Sequence, residues 1–318
     1  MKKLTLAVMM FALMAFLVAC GNDTEKVEEK TSSDGKADSE VIEVTHELDN
    51  KPVEVKKNPE TVVVFDFGIL DTLDEIGIEV AGLPQANVPA YLSKFEDEKY
   101  KNLGSLKEPD FEAIHAMKPD VIFISTRQAD LYKEFSEIAP TVYVGLDTAH
   151  YMDSFKANMD LVAKIFAKED EMTAELAEID EQIAAIKDKT SNVDEKALIV
   201  LGSEGKVSAY GSNSRFGLIH DVFGFKSADD KIEVSTHGQN VSFEYIVETN
   251  PDILFVVDRD AAVGTESSVK ESIENDLVQK TNAYKNDEII YLNADYWYLS
   301  GGGLLSMKEM IKEMEEAL

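Results

Sequence analysis

Arginine is rare in this 318-residue sequence: Arg127, Arg215 and Arg259 are its only arginines, and the rest of its 31 basic residues are lysines. Lysine suffices for solvated surface charge, whereas the planar guanidinium group donates paired hydrogen bonds to oxyanions. The rarity of arginine therefore predicts that these three side chains converge on an anionic ligand. The alternative is that they form ordinary salt bridges with carboxylates, of which the chain has 61.

An internal repeat places two of these arginines at equivalent positions. A shift of 132 residues aligns two copies of a helix, a Pro-Asp pair, an apolar strand and an arginine. Seven residues are identical between the copies: Phe111, Glu112, Ile114, Pro119, Asp120, Phe123 and Arg127 match Phe243, Glu244, Ile246, Pro251, Asp252, Phe255 and Arg259. We therefore expect Arg127 and Arg259 just past the carboxyl ends of equivalent strands, where open α/β sheets bind ligands.

Two series of apolar strands alternate with helices, over residues 41–151 and 191–318, and predict parallel sheets covered on both faces. Between them, residues 152–190 have almost no helix-breaking residue, and apolar side chains recur at helical spacing. This segment predicts one helix that extends over roughly 50 Å. The expected fold class is α/β, with two Rossmann-like lobes joined by a long spine helix.

Two polar loops that contain glycine are predicted at the ligand-facing edge of the second lobe. One contains His237, and the other contains the single tryptophan between Tyr296 and Tyr298, followed by three glycines. Taken alone, a loop histidine is more often a hydrogen-bonding residue than a metal ligand, and an aromatic cluster is more often packing. No zinc-protease or phosphate-loop motif accompanies them.

The amino terminus is typical of an exported lipoprotein. Two lysines, an apolar stretch and the sequence Leu17-Val18-Ala19-Cys20 resemble the bacterial lipobox, which implies a signal peptide over residues 1–19 and acylation of Cys20. Residues 20–40 contain this lipidated cysteine and a charged stretch too poor in apolar residues to fold, so they predict a flexible tether. The protein is expected on the extracytoplasmic face of the cell membrane, held there by its lipid.

Composition excludes several other functions. The formal net charge of -30 disfavours nucleic acid as a partner. The single cysteine allows neither an internal disulfide nor a cysteine-rich metal site. The sequence contains no nucleophile elbow of the hydrolase type, so an extracytoplasmic enzyme is only a remote alternative.

These features together resemble the class III periplasmic-binding-protein family, and within it the catecholate and petrobactin-type siderophore-binding lipoproteins of Gram-positive bacteria. The resemblance rests on the lipobox, the repeated lobes, the spine helix, and the segments Ser235-Thr236-His237-Gly238 and Tyr296-Trp297-Tyr298-Leu299-Ser300-Gly301. It implies a monomeric binding protein without a permanent cofactor. Such a protein delivers a ferric siderophore to an ABC permease dimer that works with an ATPase.

The implied ligand fits the arginines. A ferric tris-catecholate carries a charge of 3-, which three guanidinium groups match, and its oxygens accept hydrogen bonds. The family further implies that His237 and the Tyr298 phenolate complete the iron coordination when the chelator offers only four oxygens. Strand alternation does not decide between Tyr298 and Tyr296.

The repeat also matches two glutamates, Glu112 and Glu244, in the first turns of equivalent helices. The family implies that they dock the two lobes onto arginines of the permease, whereas the alternative is simple complementarity with the helix dipole. Other ligands stay open at this point: a hydroxamate siderophore, haem or cobalamin. Haem and cobalamin have little need of three arginines, and hydroxamate complexes are often neutral or positive.

Overall fold

Strands and helices alternate along the chain in the computed structural model, which describes residues 40–265 and 269–318. The predicted signal peptide, Cys20 and the tether before residue 40 lie outside the described residues. The strands are β1 (Val41–Val44), β2 (Val53–Lys56), β3 (Val62–Val64), β4 (Gly82–Leu83), β5 (Lys101–Asn102), β6 (Val121–Ile124), β7 (Thr141–Tyr143), β8 (Lys196–Ser203), β9 (Lys206–Tyr210), β10 (Lys226–Ser227), β11 (Gln239–Val241), β12 (Ile253–Asp258) and β13 (Ile289–Leu292). The helices are α1 (Phe67–Glu75), α2 (Phe111–Met117), α3 (Tyr132–Ser136), α4 (Tyr151–Phe166), α5 (Glu169–Ser191), α6 (Leu218–Asp221), α7 (Phe243–Thr249), α8 (Arg259–Ala262), α9 (Val269–Ile273), α10 (Asn282–Lys285) and α11 (Leu304–Glu316). Within the two described ranges, no helix combines the length and the apolar composition that crossing a membrane requires.

The first lobe is built on five parallel strands in the order β5-β4-β3-β6-β7. Every residue of β3 and β6 is buried, and successive side chains enter different apolar clusters: Val62 and Val64 pack on one face and Val63 on the other. Strands buried on both faces need continuous apolar sequence, which valine, isoleucine and phenylalanine provide here. The antiparallel hairpin of β1 and β2 precedes this sheet.

The second lobe has a mixed sheet with a parallel core. Strands β10, β8, β12 and β13 pair in parallel, whereas β9 and β11 run antiparallel to their neighbours. The chain reverses after β8 at Glu204 and Gly205, whose φ angles of 50° and 71° suit a tight hairpin turn. A Glu-Gly pair is a weaker sequence signal for such a turn than Asn-Gly.

The internal repeat corresponds to equivalent connections in the two lobes. Helices α2 and α7 each end at a residue in the left-handed conformation, and the Pro-Asp pair follows. Each aspartate then ties its strand to the neighbouring one: Asp120 accepts a hydrogen bond from the Thr61 amide at 2.8 Å, and Asp252 accepts one from the Lys196 amide at 3.0 Å. The repeated pair therefore joins β3 to β6 in one lobe and β8 to β12 in the other.

The long inter-lobe helix is shorter than the sequence predicts, because residues 152–190 form parts of two helices. Ala167 adopts the left-handed conformation (φ 53°) and separates α4 from α5. The two helices fold back on each other, since Lys156 of α4 and Asp180 of α5 form an ion pair of 2.6 Å. In one continuous helix these two residues would lie about 36 Å apart.

Helix α5 links the lobes. Near its end, the Thr190 hydroxyl donates to the Phe223 carbonyl of the second lobe at 2.9 Å. Along its length it packs on α11, where Lys308 pairs with Glu175 of α5 at 2.6 Å and with Glu75 of α1 at 3.1 Å. The carboxyl-terminal helix therefore lies against the first lobe, although in sequence it follows the second. The domain boundaries drawn from sequence stay predictions.

Candidate ligand-binding site

A cavity of about 640 Å³ is lined by residues of both lobes. The first lobe contributes Asp66, Ser125 and Arg127, and the second contributes Arg215 and Tyr298. Asp66 follows β3 and Ser125 follows β6, which are adjacent strands from which the sheet extends in opposite directions. Ligands of open α/β sheets bind at the carboxyl ends of such a pair, so the cavity occupies the position that the fold favours.

The turn that carries Arg127 is closed by hydrogen bonds of the next residue, Gln128. The fully buried side chain of Gln128 accepts a hydrogen bond from the Ser125 amide at 3.1 Å and donates one to the Leu106 carbonyl at 2.7 Å. These bonds close the turn that follows β6. The structure thereby places the half-buried Arg127 past the carboxyl end of its strand, at the cavity wall.

A turn between β9 and α6 presents Arg215. Asn213 has a φ of 59°, and its carbonyl accepts a hydrogen bond from the Thr148 hydroxyl of the first lobe at 2.9 Å. The guanidinium carbon of Arg215 lies 5.3 Å from the ring centre of Phe216 and 4.2 Å from that of Tyr298. Stacking on these aromatic faces orients the guanidinium group and leaves its N–H edge available to donate.

All three arginines meet at Tyr298. Arg127 Nη2 and Arg215 Nη2 both donate to its backbone carbonyl oxygen, at 2.7 and 2.6 Å. Arg259 Nε donates to its hydroxyl group at 3.1 Å. The structure thus brings the three rare arginines, one from the first lobe and two from the second, to a single residue.

Arg259 contacts Tyr298 without lining the cavity. Among the described residues of the cavity wall, Arg127 and Arg215 are present and Arg259 is not. Arg259 Nη1 donates to the Ser203 hydroxyl at 2.8 Å, and Ser203 donates in turn to the buried Asp260 at 3.0 Å. The expected trio of guanidinium groups around one ligand is therefore a pair at the cavity, with the third acting on the Tyr298 phenol.

The arginines form no direct ion pair with a carboxylate of the described residues. In the part of the chain that the structure describes, every ion pair is formed by a lysine or by His150. Burial, followed by the charge of Arg127, lowers the pKa of the Arg215 guanidinium. A carbonyl oxygen accepts hydrogen bonds but carries no net charge. The described lining residues include Arg127, Arg215 and Lys107 but only one carboxylate, Asp66, so positive charge is in excess at the cavity. The ordinary salt-bridge interpretation of the arginines does not hold.

Residues Asp295–Leu299 form a π-helical turn, and the side chains of its two tyrosines lie in different surroundings. Tyr298 lines the cavity, whereas Tyr296 packs on Tyr91 with the ring centres 4.8 Å apart. Such turns occur often at functional sites because they re-aim side chains within a helix. Of the two tyrosines that sequence left open, the described cavity wall contains Tyr298 and not Tyr296.

The Tyr298 phenol ionises more easily than an ordinary tyrosine. Burial raises its pKa, but the hydrogen bond from Arg259 and the charges of Arg215 and Arg259 outweigh burial and lower the pKa below 10.0. The phenolate is the form that would bind a hard trivalent cation.

His237 lies at the exposed rim of the cavity. Its turn is closed by a hydrogen bond of 2.9 Å from the Ser235 hydroxyl to the Gly238 carbonyl. Gly238 has a φ of 71°, and a Cβ there would lie 2.7 Å from the ring of Tyr210. The turn therefore requires glycine after His237, and the cavity wall offers one imidazole together with the phenol.

Sequence reasoning missed two charged residues of the cavity, Lys107 and Asp66. Lys107 is one of many lysines, and no local motif separates it from the solvated ones. Asp66 is the N-cap of α1, where its Oδ1 accepts a hydrogen bond from the Ile69 amide at 2.9 Å. Its position directly after an apolar strand is the signal that could have identified it.

Glu112 and Glu244 are both exposed, in the first turns of α2 and α7. Neither is among the described residues that line the cavity. Hydrogen bonds from its own amide and from Ser242 lower the pKa of Glu244, which is the effect that the helix-dipole alternative requires. The two glutamates are thus accessible, equivalent and separate from the ligand site.

Comparison with known proteins identifies the class. The family model described as periplasmic binding protein matches residues 62–296, and the chain therefore belongs to the periplasmic binding protein family. The two lobes with parallel-core sheets and a linking helix are the class III architecture, so the predicted fold class is confirmed.

Among its relatives is the petrobactin-binding protein YclQ of Bacillus subtilis strain 168, which is 52% identical over 321 residues, covering 100% of this chain and 99% of YclQ. The crystal structure of YclQ matches with a TM-score of 0.85 at 55% identity, over 87% of this chain and 98% of that one. The periplasmic catecholate-siderophore binding protein VctP of Vibrio cholerae matches with a TM-score of 0.82 at 36% identity, over 87% of this chain and 100% of VctP.

Proposed function

We propose that this protein captures a ferric catecholate siderophore outside the cell and delivers it to an ABC permease for iron uptake. One observation carries the proposal: all three arginines of the chain meet at Tyr298, and none of them pairs with a carboxylate of the described residues. A ferric tris-catecholate supplies the missing negative charge and many oxygen acceptors. The relatives YclQ and VctP are named for petrobactin and for catecholate siderophores, which supports the same ligand class.

The arginines retain donors for such a ligand. Each guanidinium group has five N–H donors, and Arg127 and Arg215 each use one on the Tyr298 carbonyl. The remaining donors on these two residues can hold catecholate oxygens. The cavity volume of about 640 Å³ falls in the usual range for small-molecule sites.

Direct iron coordination is a second part of the proposal. When the chelator supplies only four oxygens, the His237 imidazole and the Tyr298 phenolate complete an octahedral set. The lowered pKa of Tyr298 favours this role, and both side chains line the same cavity. The protein then acts as a binding protein with iron as cargo, without a permanent cofactor and without catalysis.

The acidic character of the whole chain does not oppose an anionic ligand. The formal charge is -30, but charges separated by more than about 8 Å are largely screened at physiological salt. Arg127, Arg215 and Lys107 outnumber the one carboxylate of the described cavity wall, Asp66, so the nearby charge that the ligand meets is positive. We expect affinity to depend on these groups rather than on net charge.

Trp297 provides the test of ligand class. It is the single tryptophan, it is buried, and it lines the cavity. Titration should show saturable quenching by a ferric tris-catecholate at concentrations about 100-fold lower than for a ferric hydroxamate, haem or cobalamin, because charge-assisted hydrogen bonds contribute about 1.5–3 kcal/mol each. Equal affinity for the catecholate and the hydroxamate would contradict the proposal.

Delivery involves the two lobes and the lipid anchor. Cys20 holds the monomer at the membrane, and Glu112 and Glu244 each contact an arginine of one permease subunit. Glu112→Lys and Glu244→Lys should lower uptake of the ferric siderophore by cells while leaving its affinity for the purified protein unchanged. Glu248→Lys, an exposed change further along α7, is the control. Uptake that falls equally in all three variants would argue against these docking sites.

A further inference from the structure

Asp71 is a fully buried carboxyl group that joins the first lobe to the carboxyl-terminal helix. It lies in α1, and its exposed fraction is 0%. Its Oδ2 accepts hydrogen bonds from the Ser306 amide and the Tyr91 hydroxyl, both at 2.9 Å, and its Oδ1 accepts one from the Leu305 amide at 3.3 Å. Burial of a carboxyl group costs free energy, and these three bonds offset that cost.

The backbones of α1 and α11 approach so closely that two positions exclude a side chain. A Cβ at Gly68 would lie 2.8 Å from the Gly303 nitrogen and 2.9 Å from the Ser300 oxygen. A Cβ at Gly303 would overlap the carboxyl group of Asp71. Gly303 is the N-cap of α11 and has no capping side chain, so Asp71 supplies from α1 the oxygen acceptors that an N-cap residue ordinarily provides.

The same part of the first lobe holds the turn that carries Tyr298. The Tyr91 hydroxyl lies 2.7 Å from Ser300 Oγ, just after this turn. The Ala90 amide donates to Asp295 Oδ2 at 2.9 Å, at its beginning. Hydrogen-bonding contacts therefore connect both ends of the π-helical turn to the first lobe. Asp71 and Tyr91 provide the contact at the end of the turn.

We propose that Asp71 is a positioning residue for the ligand cavity: it fixes the start of α11 and the preceding turn, and so presets where Tyr298 meets Arg127 and Arg215. The inference rests on the proposed function for the identity of the ligand. When Asp71 is replaced, the turn samples other positions and the binding-competent arrangement becomes a fraction of the population. The apparent affinity falls by that fraction.

The charge state of Asp71 sets the conditions of the test. Burial raises its pKa to about 7, against the lowering effect of the Ser306 and Tyr91 hydrogen bonds. At about pH 8 the group is mainly a carboxylate. At this pH, Asp71→Asn keeps the shape of the side chain but replaces one charged acceptor oxygen with an N–H donor that faces the backbone amides of α11.

The experiment compares Asp71→Asn with Asp74→Asn at about pH 8. Asp74 lies on the same helix, but it pairs with Lys94 of the same lobe. In the protein without ligand, Asp71→Asn should raise the acrylamide quenching constant of Trp297 about twofold or more. It should weaken affinity for the ferric tris-catecholate about tenfold, mainly through faster dissociation. Asp74→Asn should leave both quantities unchanged.

Tyr91→Phe keeps the inference testable if Asp71→Asn does not fold, because it removes only one hydroxyl group. It should change Trp297 quenching and ligand affinity in the same direction as Asp71→Asn, but less. In the double variant, the change in each quantity should be smaller than the sum of the changes in the two single variants. Wild-type values for Trp297 quenching and for ligand affinity in the folded variants would overturn the inference. If the wild-type protein binds no catecholate, the proposed function fails, while the Trp297 quenching still decides the role of Asp71.

Discussion

Arg127 and Arg215 come from different lobes, yet they donate to the same carbonyl oxygen of Tyr298. Two positive groups that share one neutral acceptor repel each other, and removal from water strengthens the repulsion. Their backbone turns are fixed independently, by Gln128 in the first lobe and by the contact between Asn213 and Thr148. The geometry therefore holds positive charges together at a free-energy cost that an anion would offset.

The break between α4 and α5 gives a prediction about stability. Ala167 is left-handed (φ 53°), a conformation that costs a residue with a Cβ about 1 kcal/mol and costs glycine little. Ala167→Gly should therefore raise the unfolding free energy by about 0.5–1 kcal/mol. Ala174→Gly, at an exposed position inside α5, should lower it by about 1 kcal/mol. Urea unfolding measures both, and a destabilised Ala167→Gly would contradict this account of the break.

The close approach of α1 and α11 gives a second prediction. Gly303→Ala places a methyl group against the Asp71 carboxyl group and should cost about 1–3 kcal/mol of unfolding free energy. Gly301→Ala is the matched control, because a Cβ there meets its nearest neighbour at an ordinary 3.5 Å. Thermal unfolding of the two variants separates steric overlap from a general intolerance of the glycine run. Equal losses would show that the overlap is not the cause.

The buried Asp71 makes stability depend on pH in a particular direction. Burial raises its pKa from 3.8 to about 7 in the folded protein. Between about pH 4 and pH 7 the folded state keeps a proton that the unfolded state releases, so the contribution of this group to stability falls as pH rises.

The measurement is the difference in unfolding free energy between wild type and Asp71→Asn across this range. The subtraction removes the titration of the other carboxylates. The unfolding free energy of the wild type relative to that of Asp71→Asn should fall from about pH 4 to about pH 7 and stay constant at higher pH. A difference that moves in favour of the wild type over this interval would contradict the raised pKa.

The sequence predicted the parts of the site that have a strong local signature. The repeat of Pro-Asp, strand and arginine located Arg127 and Arg259 after equivalent strands, because strand ends and Pro-Asp turns are encoded locally. The rarity of arginine also predicted their convergence. The prediction that all three line the cavity is wrong for Arg259, because nothing in a linear sequence shows that its guanidinium group donates to Ser203 and to the Tyr298 hydroxyl instead.

Other features depend on contacts between distant segments. Helical spacing continues through Ala167, so a periodic pattern could not show that α4 and α5 fold back on each other. The sequence predicts a loop around Gly303, whereas its close contact with Asp71 of α1 is a tertiary property. Lys107 follows Leu106, whose carbonyl accepts a hydrogen bond from Gln128 at 2.7 Å, and this contact joins two segments that are distant in sequence. Such pairings carry no signal in one sequence.

The most direct test of the account is the affinity of Arg127→Gln and Arg215→Gln for a ferric tris-catecholate, followed by Trp297 quenching. Lys133→Gln removes the same charge at a site whose side chain is 84% exposed and serves as the control. We predict that each arginine variant binds at least about tenfold more weakly while its unfolding free energy stays equal to or above that of the wild type, because a repulsion has been removed. Undiminished affinity in both arginine variants would contradict the claim that this protein binds its ligand through the excess positive charge of these arginines.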